Sequence, residues 1–313
     1  MVGTVAIGQL TPEHLPTRRE FGFPYALAVL SRQPSGDVYV WTGSATPKDL
    51  ERPFKWMSVT KFLVATAFWV QSLPSAGSTV MPLDLAVGPP APPGVRLVDL
   101  LAHCSGLPFD APADNMGIRF GIANPDERAI EPFTKRVYSN YNFELAGAFA
   151  ESRLGVPWND WVGRVITGPL GMNGTKLSDS PAWGAVGPIV DLARLAAEML
   201  SPSLTGLTAA DIDRFSAPVH PGLRGVLPGY GHQKDNLWGT GVEVHGAKTP
   251  HYLPESFPSE VIGHFGQSGS FIWVDRAAGA AGVFLGAEKF GPVHKALWPR
   301  LNAEIRQLAL LAR

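Results

Sequence analysis

Ser58-Val59-Thr60-Lys61 places a hydroxyl and an amine three residues apart, which puts both on one face of a helix. A serine hydroxyl alone is a weak nucleophile and needs a base beside it to take its proton. A lysine buried among apolar groups gives up its own proton more readily and can then be that base. Phe54-Lys55-Trp56-Met57 reads as an extended run into Ser58, and Val59 through Gln71 is apolar and free of glycine and proline, as a buried helix would be. Ser58 is therefore expected at a helix N-terminus, where the macrodipole and free backbone N–H groups favour a developing oxyanion. Four-residue matches arise by chance in a chain of 313 residues, and the competing reading is an exposed helix face.

Two further groups of residues bear on the same chemistry. In Tyr138-Ser139-Asn140, a tyrosine sharing protons with a lysine can act as base toward serine and as acid toward a leaving group, a nearby cation favouring its phenolate. Asn140 can accept from the lysine and donate to a substrate carbonyl. The same residues also fit a turn that opens a helix, with Ser139 or Asn140 as N-cap, and both readings can hold. His264-Phe265-Gly266-Gln267 falls in an expected strand, from which the backbone N–H of Gln267 would complete an oxyanion hole with that of Ser58. Gly266 would let backbone and substrate approach closely. A lone strand histidine is more often structural than catalytic, so His264 owes its candidacy to the other two motifs.

The elements that must hold these groups are legible in outline. Ala26 through Ser31 and Val38 through Gly43 are β-prone runs around the turn Pro34-Ser35-Gly36-Asp37 and predict a hairpin. The middle of the chain reads as mostly helical: Leu97, Leu100 and Leu101 share a helix face that Gly106 and Pro108 would close, and Leu192, Leu195, Ala196 and Met199 recur at helical period behind Pro188. Strands are expected again over 238–244, 261–267, 270–274 and 281–285. Leu297, Leu301, Ile305 and Leu308 then form an apolar stripe on a C-terminal helix that would pack on the sheet. This predicts an α+β fold, an α/β sandwich with an antiparallel sheet flanked by N- and C-terminal helices, plus a mostly helical lobe. Residues 1–313 read as one catalytic unit, with a sheet subdomain over 1–57 and 232–313 and a helical subdomain over 58–231.

Composition narrows the partners. The chain is 45% hydrophobic and 17% charged with a formal net charge of −1, which supports a large core and offers no footprint for nucleic acid or an anionic membrane. The expected partner is a small-molecule acyl substrate. No run is long enough to span a membrane, Phe62 through Val70 being about half of the ~20 residues required. No export signal is read at the start, so the expectation is a cytoplasmic protein, or an extracytoplasmic one if a leader has been removed. Cys104 is the single cysteine, and the eight histidines show no ligand spacing, so neither disulfide, metal nor other cofactor is expected. Lys248-Thr249-Pro250 imitates a K-T-G motif, but proline supplies no N–H, and the segment reads as strand and turn.

In the order S-x-x-K, Y-S-N and H-x-G, the three motifs resemble the serine β-lactamase-like and penicillin-binding protein family, in its class C β-lactamase, DD-peptidase and esterase branch. Leu100 through Pro108 is similar to that family's "hSGLP" stretch, Gly168-Pro169-Leu170-Gly171-Met172 to its "PLGM" segment, and Gly187 through Leu195 to its helix with an Asp-Leu-Ala core. The resemblance implies that Ser58 attacks a carbonyl to form an acyl-enzyme and that Lys61 and Tyr138 shuttle its proton. It further implies that water is then activated through Tyr138, and that Asn140 orients Lys61 and substrate. Two departures matter. His264 stands where a K-T-G lysine would supply a permanent cation for a carboxylate, and the interval from Tyr138 to His264 is short, implying a trimmed helical lobe and an open cleft. The expected activity is thus esterase-like hydrolysis of esters or amides of small acyl compounds, with His264 tuning substrate choice through its protonation. The alternatives are a β-lactamase or D-alanyl-D-alanine carboxypeptidase and, in another class, an inactive binding or assembly protein that keeps the fold. Intact Ser58, Lys61 and Tyr138 argue against the last.

Overall fold

The computed structural model describes residues 6–10, 13–74, 79–111 and 130–312. Residues 1–5, part of the stretch on which the lack of an export signal was read, lie outside these. The four-residue strand Ala6–Gln9 (β1) carries no alternation long enough to announce itself, and it owes its form to parallel pairing with a later strand. Tyr25–Arg32 (β2) and Val38–Ser44 (β3) form the expected antiparallel hairpin, turned at Gly36 with a φ of 93° that suits glycine. Phe54–Lys55 (β4) leads into the helix Val59–Gln71 (α1), with the bounds that its unbroken apolar run predicts.

The middle of the chain supplies the helices Leu97–Leu101 (α2), Asn140–Leu154 (α3), Trp158–Val162 (α4), Ile189–Leu200 (α5) and Ala209–Ser216 (α6). Short strands lie among them: Lys176–Leu177 (β5), Ala185–Gly187 (β6), and the pair Gly225–Leu227 (β7) and Gly231–Gln233 (β8). β6 pairs with both β5 and β4. The chain then returns through Glu243–Val244 (β9), Ile262–Gly266 (β10), Ser270–Asp275 (β11) and Ala280–Gly286 (β12) to the C-terminal helix Pro292–Leu311 (α7). These strands and the opening ones make a seven-stranded sheet in the order β1-β3-β2-β12-β11-β10-β9, antiparallel except for β1 against β3. The predicted α+β sandwich is thus the observed one.

Alternation along the central strands explains the layers. In β2, Ala26, Ala28 and Leu30 point into one core with Phe62, Leu63 and Leu192, while Leu27 and Val29 point into the other with Trp298, Leu301 and Ile305. α1 and α5 therefore cover one face of the sheet and α7 the other, so neither face of the central strands meets water. Such burial is the main favourable term in the fold, at about 25 cal/mol per Å² of apolar surface. Asn302 of α7 is pinned inside: its Oδ1 accepts from Trp273 Nε1–H at 2.8 Å, and its Nδ2–H donates to the Tyr252 carbonyl at 3.0 Å. Among the described residues no helix is long and apolar enough to cross a membrane.

Two expectations fail locally. The strand expected over 238–244 is formed only at Glu243–Val244, because the chain doubles back there: Gly239 N–H donates to the Val242 carbonyl, and Gly241 takes a φ of 83°. The apolar pattern of 238–244 reports burial of Trp238 and Val242, not extension. Helix α2 ends at Leu101 instead of running to Gly106, with His103 adopting a left-handed φ of 59°. Gly106, with a φ of 79°, serves the loop beyond, where a Cβ would lie 2.1 Å from the Ile130 carbonyl oxygen.

Several histidines sit neutral in this interior. Burial pushes His245, His264 and His294 each down to about 4. An unfolded chain protonates them near their ordinary 6.5. Between those values the unfolded state binds more protons, and stability drains away as the pH falls. Calorimetry should accordingly give a clearly lower Tm at about pH 5 than at about pH 7. An equal or higher value would refute this account.

Candidate active site

Ser58 lies in the turn that follows the short strand β4 and is the N-cap residue of α1, yet its side chain makes no capping hydrogen bond, so the hydroxyl is not consumed by the helix. Met57 before it has a φ of 47°, an unfavourable conformation for a side-chain-bearing residue. Two contacts fix this turn: Trp56 N–H donates to the Ala185 carbonyl at 2.9 Å, and the Trp56 carbonyl accepts from Ser270 Oγ–H at 2.8 Å.

One helical turn on, Lys61 is 0% exposed. Its Nζ lies 3.4 Å from Ser58 Oγ, 2.6 Å from Asn140 Oδ1 and 2.9 Å from the Ala182 carbonyl oxygen. Burial brings this amine down to about 7, against the pull of the Glu144 and Asp110 carboxylates. A neutral amine has two N–H donors and one lone pair. The Asn140 Oδ1 and Ala182 carbonyl oxygens can only accept, so they take the donors and leave the lone pair toward Ser58.

Tyr138 stands beside the same pair, its ring centroid 5.0 Å from Lys61 Nζ and its hydroxyl under the influence of Ser58. Here the expectation is corrected. Burial pushes the phenol well above its ordinary range, and the Ser58 hydrogen bond only partly opposes this, so Tyr138 keeps its proton near neutrality. Ser139 is the N-cap of α3 as its type predicts, accepting from Asn142 N–H at 3.1 Å, and Asn140 begins the helix. Asn140 accepts from Lys61 as expected, but its amide donates at 3.0 Å to Asp110 Oδ1, which commits one of the two N–H groups reserved for a substrate.

His264 is 3% exposed, with Nδ1–H donating to the Phe265 carbonyl at 2.9 Å. Burial pushes it down to about 4, aided by the Lys61 charge and opposed by Glu243, so it is uncharged at neutrality. Tuning by its protonation is therefore confined to acid. Gly266 owes its bare Cα to a neighbour other than substrate: a Cβ there would stand 2.3 Å from the Trp56 carbonyl oxygen and 2.5 Å from Ser270 Oγ. The strand thus presses on the segment that carries Ser58. Gly266→Ala should cost about 1–3 kcal/mol of stability and lower kcat at least tenfold by displacing that segment. Chemical denaturation with single-turnover kinetics tests this, and a variant within twofold of the native rate would refute it. Gln267 is exposed, and its carbonyl is held by Phe290 N–H at 2.9 Å.

Ser58, Tyr138, Asn140, His264 and Gln267 line one cavity of about 870 Å³, with Lys61 immediately behind Ser58. Its walls also carry Phe109, Trp158, Trp183 and Trp238 and the carboxyl groups of Asp110, Glu144, Glu151, Asp179 and Glu243. Several of these escaped the sequence. The Ala182 carbonyl could not be found, since a backbone oxygen has no identity in a sequence. Glu144, one helical turn beyond Asn140, could have been. Lys248, set aside as a decoy, indeed follows β9 in a turn but is buried, with its ammonium 3.4 Å from Glu243 Oε1 and bonded to the Leu237 and Val244 carbonyls.

The cleft beside the antiparallel sheet thus brings a serine at the head of a buried helix against a buried amine. The family model described as beta-lactamase matches residues 26–307, and the chain belongs to this hydrolase family. A beta-lactamase from Mycobacterium bovis is 35% identical, with a TM-score of 0.80 over 95% of this chain and 100% of that one. At 18% identity, a D-amino acid amidase from Ochrobactrum anthropi shares the fold with a TM-score of 0.68 over 95% of each chain. EstCE1, a hydrolase with promiscuous acyltransferase activity, does so at 0.66 over 95% of this chain and 97% of that one, also at 18% identity. No curated protein sequence matches the chain.

Proposed function

We propose that the protein is a serine hydrolase that cleaves esters or amides of small acyl compounds through an acyl-enzyme on Ser58. The observation that carries this reading is the buried Lys61 amine, brought to about 7 and set 3.4 Å from Ser58 Oγ. Neutral Lys61 takes the serine proton as Oγ bonds to the substrate carbonyl carbon. The oxyanion formed is received by the backbone N–H groups of Ser58 and Gln267. As the carbon–leaving-group bond breaks, the Tyr138 phenol protonates the departing atom and is refilled from the Lys61 ammonium. Water then attacks the acyl carbonyl, giving its proton to neutral Lys61, and Ser58 leaves with a proton from the same network. Asn140 holds the amine in place. In this reading the chain is one catalytic unit, with the cleft between a sheet subdomain of 1–57 and 232–313 and a helical subdomain of 58–231.

The test is covalent. A fluorophosphonate probe should add its mass to Ser58, and Ser58→Ala should abolish labelling and turnover together. No labelling of the native protein, or equal labelling of the variant, would overturn the mechanism. A second reading, hydrolysis of β-lactams, is favoured by the 35% identical protein described as a beta-lactamase. Neutral His264 weighs against it, since the cleft then lacks a fixed cation at that position for a β-lactam carboxylate. Relative rates on p-nitrophenyl esters, D-amino-acid amides and a chromogenic cephalosporin separate the two.

A further inference from the structure

Asn140, Glu144 and Gly147 follow one another along α3 at spacings of four and then three residues, which puts them on one helix face, and all three line the cavity. Asn140 accepts from Lys61 at 2.6 Å. Gly147 lets this face lie close on the segment that follows β5: a Cβ there would stand 2.8 Å from Pro181 Cγ. Glu144 lies between the two, and its Oε1 accepts from Ser180 Oγ–H at 3.1 Å.

Ser180 passes that bond on. It is 4% exposed and its hydroxyl has a single proton, so donating to Glu144 turns a lone pair toward Ala182 N–H, from which it accepts at 3.1 Å. Ala182 then presents its carbonyl to Lys61 Nζ at 2.9 Å. The far end of this segment is tied to α1, where Thr60 Oγ1 accepts from Ala185 N–H at 3.0 Å. Both oxygens that hold the amine are thus held in turn by a carboxylate: Asn140 through its amide to Asp110, and Ala182 through Ser180 to Glu144. The acyl-transfer steps make no use of Glu144, and a side chain that only filled this half-buried place would need no charge.

We propose that Glu144 is a positioning residue for the base: through Ser180 it holds the Ala182 carbonyl on the Lys61 amine, so that the amine keeps its lone pair on Ser58. This rests on the serine hydrolase reading. The carboxylate also leaves an electrostatic signature, for burial draws Lys61 down and Glu144 opposes it more strongly than Asp110 does. Of the other titratable groups facing the amine, burial keeps His103 and His264 neutral and Tyr138 protonated near pH 7. Lys55, Glu151, Asp179 and Glu243 line the same cavity and are unchanged in every variant below, so their fields cancel in the comparison.

The rate of fluorophosphonate labelling of Ser58 across pH, measured on the full chain beside circular dichroism, tests it. Glu144→Leu removes both link and charge and should slow labelling at least about tenfold, the scale set by a displaced reacting group. Glu144→Gln keeps an oxygen for Ser180 and should label within about threefold of the native protein above neutrality. Its acid limb should move to lower pH, because an amine that loses a neighbouring carboxylate sheds its proton more readily. Ser180→Ala cuts the link and leaves the charge, so labelling should slow about tenfold with the limb unmoved. A side chain that merely supported the fold would not separate rate from limb in this way. Glu144→Leu or Ser180→Ala within about twofold of native, or a Glu144→Gln limb that stays in place, would overturn the proposal while labelling of the native protein upheld the serine reading. If the native protein does not label, the hydrolase reading falls and this one with it. Glu144→Gln and Ser180→Ala decide the matter even if Glu144→Leu does not fold.

Discussion

Lys61→Met is expected to lower kcat by roughly a thousandfold and to leave a folded protein. The side chains are close in length, and methionine fills the space among Phe143, Tyr138 and α1 without an amine to accept the Ser58 proton. Two structural effects oppose each other: the Asn140 and Ala182 oxygens lose their donor, and a desolvated amine disappears. The Tm therefore moves far less than the rate. In the native protein kcat/KM should rise with pH through about 7 as Lys61 deprotonates, the direction required of a group that works as a base. Rates measured across the neutral range beside circular dichroism check both statements. A loss below threefold, or a native profile flat through neutrality, would remove Lys61 from the proton path.

The second large effect concerns stability. Glu243 and Lys248 are both buried, and each holds the other's charge: the lysine's proximity keeps Glu243 down at about 2 despite burial, while burial draws Lys248 down to about 8. Lys248→Met strands the carboxylate in the interior with only His251 against it, which should cost about 3–5 kcal/mol. Adding Glu243→Leu removes the stranded charge and should recover most of that loss, since an apolar pair of similar volume replaces a buried ion pair at little cost. Urea denaturation of the native, single and double variants forms the cycle. A single variant as stable as the native protein, or a double variant no better than the single, would show that the pair carries no such coupling.

Sequence reasoning reached the fold because its signals were local and repeated. The hairpin around Gly36, the uninterrupted apolar run of α1 and the short apolar strands bounded by turns before α7 each declare themselves within a dozen residues. It failed where tertiary contacts overrule local pattern. Trp238 and Val242 look like strand residues because they are buried, and no pattern of apolar residues distinguishes that from pairing. At the candidate site, the residues that share the cavity could be named from motif order, but their ionisation could not. Tyr138 keeps its proton and His264 stays neutral because of burial produced by residues far away in sequence. Lys248 reads as part of a strand and turn, and nothing in the sequence pairs it with Glu243 until the fold closes over both.

The turn that carries Ser58 is held on one side by Ala185 and Gly187 through β4 and β6, and on the other by Ser270 and the bare Cα of Gly266. During synthesis the residues that set the serine's position follow it by more than a hundred and then two hundred positions. A nascent chain therefore carries that hydroxyl in an unassembled state until both segments have been made. In the proposed mechanism, acyl transfer to Ser58 becomes a readout that the chain through β11 has been made and folded.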